Sequence, residues 1–312
     1  MPFADLLAAG FARRALLEIV IVAVLCGAVG THVVNRRLAF PTMAMTHATF
    51  PGVVLAGIAG INLVLGAGLF GVLVVLAIAG RPGGGAAGAR AGHSGRGGQG
   101  GAGGAGGAGG LGGGADRHVT TATGVVLAGG FALGVGLLSA QDGFSRDLTA
   151  YLVGSVVTVT RSDIVVSLVA TLAALVVLAA LRKELALVGF DRAGAAAAGY
   201  PVRALDLALL ALVEVAIVTS MPAVGTILSV AFVVGPAATA RLWCSSAASM
   251  TVTAIGLAVA AGVIGLWTSE HWNVAAGGTI VLAVGALFAL SVLLAPLVAT
   301  WRGRSAPVPA PS

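Results

Sequence analysis

A single histidine in the apolar run Phe40–Gly52, FPTMAMTHATFPG, stands four residues before a proline. The nitrogen of Pro51 carries no hydrogen, so the carbonyl of His47 loses the helical bond that residue 51 would otherwise make to it. One short stretch therefore offers an imidazole and a freed carbonyl at the same height. Met43 lies one turn before His47 on the same helical face, whereas Met45, two positions from each, points elsewhere. Imidazole suits Zn²⁺, and thioether suits soft ions such as Cu(I). Such groups persist in hydrocarbon only where protein or a water-filled path satisfies them. The spacing points to a helix bent at Pro51 that lines a cation path. The plainer alternative is a histidine bonded to a backbone carbonyl at a helix contact.

Glu214 is the carboxylate that sits well inside an apolar run, since Glu18 and Asp206 lie nearer the ends of theirs. An intramembrane carboxylate is a functional candidate by default, with hydrogen-bonded packing as the alternative. His32 reads as structural, Glu270 and His271 as a solvated loop, and His93 as part of a linker. Cys26 and Cys244 are isolated and give neither a disulfide framework nor a CxxC metal signature. The chain has no G-x-x-x-x-G-K-[ST] phosphate loop, no catalytic triad and no zinc-hydrolase spacing. It reads as a non-enzyme with no permanently bound cofactor, so any energy source must be another chain or an ion gradient.

The elements that position these residues follow from composition. The 312 residues are 58% hydrophobic and 9% charged, with a mean hydropathy of +1.04, where a soluble domain carries about 25% charged residues. This is an all-α polytopic membrane protein. Runs long enough to cross the hydrocarbon fall near 16–34, 42–60, 61–80, 119–139, 163–181, 204–220, 224–242, 248–267 and 277–299. Met221-Pro222 breaks the pair 204–220 and 224–242, and residues 1–14 suit an interfacial helix, so eight or nine crossings are expected.

Basic residues orient the bundle. If Arg36 and Arg37 face the cytoplasm, alternation puts 81–118, 182–203, 241–247 and the tail 301–312 on that side. Together with Arg36 and Arg37, these segments hold every Lys and Arg except Arg13, Arg14, Arg146 and Arg161. Asp142, Asp147, Asp163 and Glu270 fall on the other side, a strong positive-inside pattern. The net charge of +6 thus sets topology rather than indicating nucleic acid. Residues 81–117 form a Gly-rich cytoplasmic linker interrupting one transmembrane domain over 1–300. The apolar stretch 148–158 is too short to cross and re-enters or lies against the bundle. Residues 182–203 read as a short cytoplasmic helix stopped by Gly199-Tyr200-Pro201. It is either a docking surface or an ordinary polar loop.

The order of landmarks resembles the permeases of ATP-binding-cassette importers for zinc, manganese and iron. The landmarks are VVNRRLAF before THATFPG, TTATGVVLAGGFALGVGLLS, DLTAYLVGSVVTVTRSD, GFDRAGAAAAGYPVRALDLALL, VGTILSVAFVVGPAATARLW and NVAAGGTIVL. They span nearly the whole chain. The resemblance implies a metal-importer, type II-like permease in the bacterial plasma membrane that works as a dimer with a second permease copy, expected to be a homodimer. It implies a cytoplasmic ATPase that binds ATP and docks on a coupling segment over 189–203. The residues there are Gly189, Phe190, Asp191, Arg192, Gly199, Tyr200 and Pro201. It further implies an extracytoplasmic solute-binding protein that delivers the ion. Pro236, Ala237, Ala238, Thr239 and Ala240 match a family signature near the inner gate.

The match departs from the family where its metal chemistry lies. The family's aspartate four residues before the histidine is Met43 here, and its glycine is Thr42; Asn273 and Ala275 replace an aspartate and a proline in the last landmark. Losing a carboxylate weakens manganese, a hard ion, and favours zinc, with manganese or iron next. Glu214 is available to replace the missing carboxylate. The expected metal set is His47, Met43 and Glu214, beside the Pro51 kink. The competing reading is a secondary metal-cation carrier or channel that needs no ATPase.

Overall fold

Buried residues recur along the first helix at alternating steps of three and four, and this period fixes its place in the bundle. The structure is a computed structural model that describes residues 10–61, 66–73, 128–130, 132–137, 139, 159–225 and 228–304. Every regular element among the described residues is helical. In chain order these are α1 (Gly10–Asn35), α2 (Ala39–Ala59), α3 (Arg161–Ala180), α4 (Arg182–Phe190), α5 (Arg192–Ala197), α6 (Val202–Val224), α7 (Ser229–Trp243), α8 (Ala247–Trp272) and α9 (Ala276–Arg304). Two further helical pieces occupy 66–73 and Ala128–Leu137.

In α1, Ala12, Ala15, Ile19, Val22, Cys26, Val29 and Val33 are buried along one stripe. Ala23 and Leu25 bury further faces, and α1 packs against α3, α6, α7 and α8 as the central helix. Lipid tails are as apolar as leucine, so helices in a membrane associate through close approach and polar contacts rather than a hydrophobic drive. Gly30 supplies that approach: a Cβ there would collide with the Val233 carbonyl oxygen of α7. The outer helix α3 is one-sided. Ser167, Thr171, Ala174 and Leu178 face the bundle, while Val165, Val169, Leu172 and Val176 are exposed as a lipid-facing surface. A reciprocal capping box between Thr160 and Asp163 starts it.

Six helices among the described residues are long and apolar enough to cross a membrane: Ala12–Asn35, Pro41–Ala59, Arg161–Ala180, Val202–Val224, Ala247–Trp272 and Ala276–Ala295. The expected spans 61–80 and 119–139 lie largely outside the described residues, as do the linker 81–117 and the stretch 148–158.

Three boundaries are corrected. Gly10, the first described residue, is already helical, so residues 10–14 of the expected interfacial stretch 1–14 belong to the first spanning helix. Ala12 and Ala15 continue the buried stripe back through Arg13 and Arg14. The break after 220 falls at Gly225 rather than at Met221-Pro222. Pro222 removes only one bond close to the helix end, whereas Gly225 adopts φ +90°, a conformation that L side chains rarely take. That break leaves α7 only 15 residues long. The last apolar pair also extends further than expected, with α8 running to Trp272 and capped by Asn273 at φ 56°.

The segments assigned to one side by their charge do meet at one end of the bundle. Arg36 reaches Asp206 and the Leu185 carbonyl, Arg192 pairs with Asp206, and Arg241 donates to Asn35 at 2.9 Å.

Candidate metal path and coupling surface

The helix α2 runs unbroken through Pro51. His47 is half-buried and Met43 is 46% exposed on one side, while Met45 is buried on another. The carbonyl of His47, to which Pro51 can donate no N–H, is approached by the piece Ala128–Leu137. A Cβ on Gly130 would stand 3.4 Å from that oxygen and 2.8 Å from the Cα of Ala48. Only a residue without a side chain fits so close to this backbone.

Glu214 is 2% exposed and bonds across to α2, where Thr49 Oγ1 donates to its Oε1 at 3.0 Å. The same hydroxyl contacts the Met45 carbonyl at 2.5 Å, so one proton is shared between two acceptors. Glu214 Oε2 has no hydrogen-bond partner among the described residues. The helical piece 66–73 closes over the group, and a Cβ on Gly71 would collide with Oε1. Thr49 is two residues from His47, about 200° around the helix. Glu214 therefore addresses a different side of α2 from Met43 and His47. It does not stand beside His47 in the place of the family's aspartate.

A second buried carboxylate was missed from sequence. Glu18 is 0% exposed, accepts a 2.6 Å bond from Ser167 through Oε1, and leaves Oε2 without a partner among the described residues. The signal was the α1 stripe: continued back to Ala12, it puts Glu18 inside the helix rather than at its start. No group of three or more His, Cys, Asp or Glu residues is arranged to hold a metal among the described residues.

The segment 182–203, read from sequence as one short helix, folds as two. Asp191 ends α4 and caps α5, accepting from the Gly194 backbone at 2.8 Å. Gly199 at φ +83° ends α5, with Gly199 and Tyr200 N–H groups returning to Ala196 and Ala195 carbonyls at 3.1 Å each. Pro201 then caps α6. Leu185, Val188 and Ala195 anchor the inner side of the pair, while Gly189 and Arg192 are exposed and Phe190 is 95% exposed. Tyr200, after the end of the pair, is exposed as well, and large exposed side chains of this kind suit contact with another chain.

Of the signature, Pro236, Ala237, Thr239 and Ala240 are buried and Ala238 is partly so. Ala237 and Ala240 pack with Met250 and Ala254 of α8, and Ala237 meets α1 at Gly30. What the structure shows of these residues is close helix packing.

Comparisons with known proteins agree with this geometry. The chain is 30% identical over 308 residues to the manganese transport system membrane protein MntC of Halalkalibacterium halodurans, covering 97% of this chain and 95% of that protein. It is 32% identical over 289 residues to the manganese import system permease protein ScaB of Streptococcus gordonii, covering 92% of each. The solved structure of PsaBC from Streptococcus pneumoniae in complex with Fab superposes with a TM-score of 0.75 at 31% identity, covering 93% of this chain and 94% of that one. An inward-facing conformation of a metal-chelate type ABC transporter, at 16% identity and a TM-score of 0.64, shares the fold over 94% of this chain and 89% of that one. The zinc preference drawn from sequence finds no support in these relatives, and neither does a carrier that works without an ATPase. Residues 8–80 and 112–295 match the ABC 3 transport family, and the chain belongs to it as a multi-pass permease subunit of a metal ABC importer.

Proposed function

We propose that this permease carries manganese(II) inward across the bacterial plasma membrane. A separate cytoplasmic ATPase docked on α4 and α5 drives the switch between outward and inward access. An extracytoplasmic solute-binding protein delivers the ion, and a second copy of the chain completes the path. The observation that carries the reading is the family match over most of the chain together with relatives named for manganese transport. The Glu214 oxygen left unpaired at the α2–α6 contact among the described residues is a separate support, on another side of α2 from His47.

The chemistry supports a hard divalent ion. Glu214 and the Thr49 hydroxyl offer oxygen, the donor type that manganese prefers. Met43 and His47 lie on the less buried side of α2, where a second copy would meet them and add its own pair. The test is uptake of manganese by cells that lack their own importer, with the chain present as wild type or His47→Ala at equal membrane abundance. Loss of uptake in the variant is the expected result. Undiminished uptake removes His47 from the path, and stronger competition by zinc than by manganese overturns the choice of metal.

A further inference from the structure

Arg36 leaves the end of α1 and is drawn under the coupling helices, where its side chain is only 10% exposed. Its Nη1 donates to Asp206 Oδ1 at 3.1 Å and its Nη2 to the Leu185 carbonyl at 2.6 Å. The guanidinium thus uses two prongs of a rigid fork on two different elements, α6 and α4. Arg192 of α5 holds the other oxygen of Asp206. Burial pulls the Arg36 guanidinium below its ordinary value, Asp206 raises it, and Arg192 lowers it again. An arginine so placed remains charged throughout the physiological range.

The chain just beyond Arg36 matters as much as the contacts of its side chain. The turn into α2 is closed by bonds from the Arg36, Arg37 and Leu38 N–H groups to the His32, Val34 and Val33 carbonyls, at 3.0, 3.2 and 2.9 Å. Arg37 sits at φ 57°, so the turn is a fixed corner rather than a slack loop. α2 begins at Ala39 and carries Met43, His47 and Thr49; α6 carries Asp206 and, about two turns on, Glu214. Both helices that bear the candidate path residues are therefore pinned, near their starts, to the segment proposed to face the ATPase.

We propose that Arg36 is a positioning residue for energy coupling, a strut that makes α4–α5, α2 and α6 move together when the coupling segment is displaced. A nearly buried fork on two partners holds its geometry under load, whereas an exposed pair loses it to solvent. This inference rests on the proposed importer function.

The experiment reconstitutes the chain in lipid vesicles with its ATPase and binding protein, as wild type, Arg36→Gln, Arg36→Lys and Arg37→Gln. Arg37 takes part in the corner through its backbone alone and its side chain is exposed, so Arg37→Gln serves as a control for lost charge. The readouts are ATPase retained on purification, basal hydrolysis, stimulation of hydrolysis by metal-loaded binding protein, and metal taken up per ATP. In Arg36→Gln the ATPase stays bound and basal hydrolysis persists. Stimulation and uptake per ATP fall roughly tenfold, as the loss of one charge-assisted hydrogen bond would give. Arg36→Lys keeps the pair with Asp206 but not the fork, and falls between Gln and wild type. Wild-type coupling in Arg36→Gln overturns the proposal. Loss of the ATPase from the complex also overturns it, since Arg36 would then serve docking rather than transmission. If Arg36→Gln fails to fold, wild-type coupling in Arg36→Lys decides against it in the same way. A wild-type chain that retains no ATPase at all defeats the importer reading instead.

Discussion

Thr49 and Glu214 are 165 positions apart in the chain and bonded at 3.0 Å between α2 and α6. The hydroxyl is the one group among the described residues that satisfies this carboxyl, and it is itself shared with the Met45 carbonyl. Replacing Thr49 by valine keeps the shape and removes the donor. It leaves a buried acid with both oxygens unpaired, at a cost of about 1–3 kcal/mol. Thr49→Val is expected to lower the midpoint of thermal unfolding in detergent, and to lower metal uptake more than its loss of abundance explains. An unchanged midpoint would show that other groups carry Glu214.

The same carboxyl is covered by backbone on its other side. A Cβ on Gly71 would collide with Glu214 Oε1, while one on Gly68 meets nothing nearer than 4.0 Å, at Val218. Gly71→Ala is expected to push the acid or the 66–73 piece aside and to reduce uptake severely. Gly68→Ala, three residues away on the same piece, leaves uptake near wild type. Equal effects of the two would mean that the piece is sensitive to helix propensity rather than to contact with Glu214.

How far the sequence reaches is visible in these contacts. The grouping of Arg36, 182–203 and Arg241 at one end was legible, because the positive-inside rule acts on local charge. That one helix carries Met43, His47 and Pro51 was legible because helical spacing is local too. The Thr49–Glu214 and Arg36–Asp206 pairs were not, since residues 165 and 170 positions apart leave no periodic trace. Glu18 reads from sequence as a residue near a span end because Arg13 and Arg14 precede it, yet the buried stripe runs on past them to Ala12. Gly225 was overlooked in favour of Pro222, although a glycine that takes positive φ ends a helix more firmly than a proline in its last turn.

Met43 stands where the sequence resemblance leads one to expect an aspartate. Met43→Asp places a carboxylate one turn before His47 on the same face. Manganese uptake is expected to gain on softer ions by about tenfold, the factor that about 1.4 kcal/mol of preferential binding gives. Competition with zinc and with copper(I), scored in cells carrying each version, measures it. No change in the order of competing metals would place Met43 away from the ion.

Asp191 caps α5, a helix of only six residues in the segment proposed to face the ATPase, and such a helix cannot hold itself together in water. Asp191→Ala is expected to cost about 1 kcal/mol of local stability. The membrane-spanning bundle stays intact while retention of the ATPase on purification falls. Asp191→Asn keeps an accepting oxygen and retains it. If both variants hold the ATPase as wild type does, the partner does not read α5.

Glu18 separates a structural buried acid from a working one. It lies on the α1 face that meets Ser167 and accepts from that hydroxyl at 2.6 Å. Glu18→Ala removes the acceptor and opens a cavity in the central helix, with an expected cost of several kcal/mol, on the order of 2–5 for truncations of this size. Glu18→Gln keeps the volume and an oxygen for Ser167, and its cost is correspondingly smaller. If the acid serves only to tie α1 to α3, Gln restores both the unfolding midpoint and the uptake that Ala loses. Transport measured beside thermal stability therefore assigns the role. Recovery of stability without recovery of uptake makes the ionisable group itself part of transport, and the path would then have to include the α1–α3 interface as well as the α2–α6 contact.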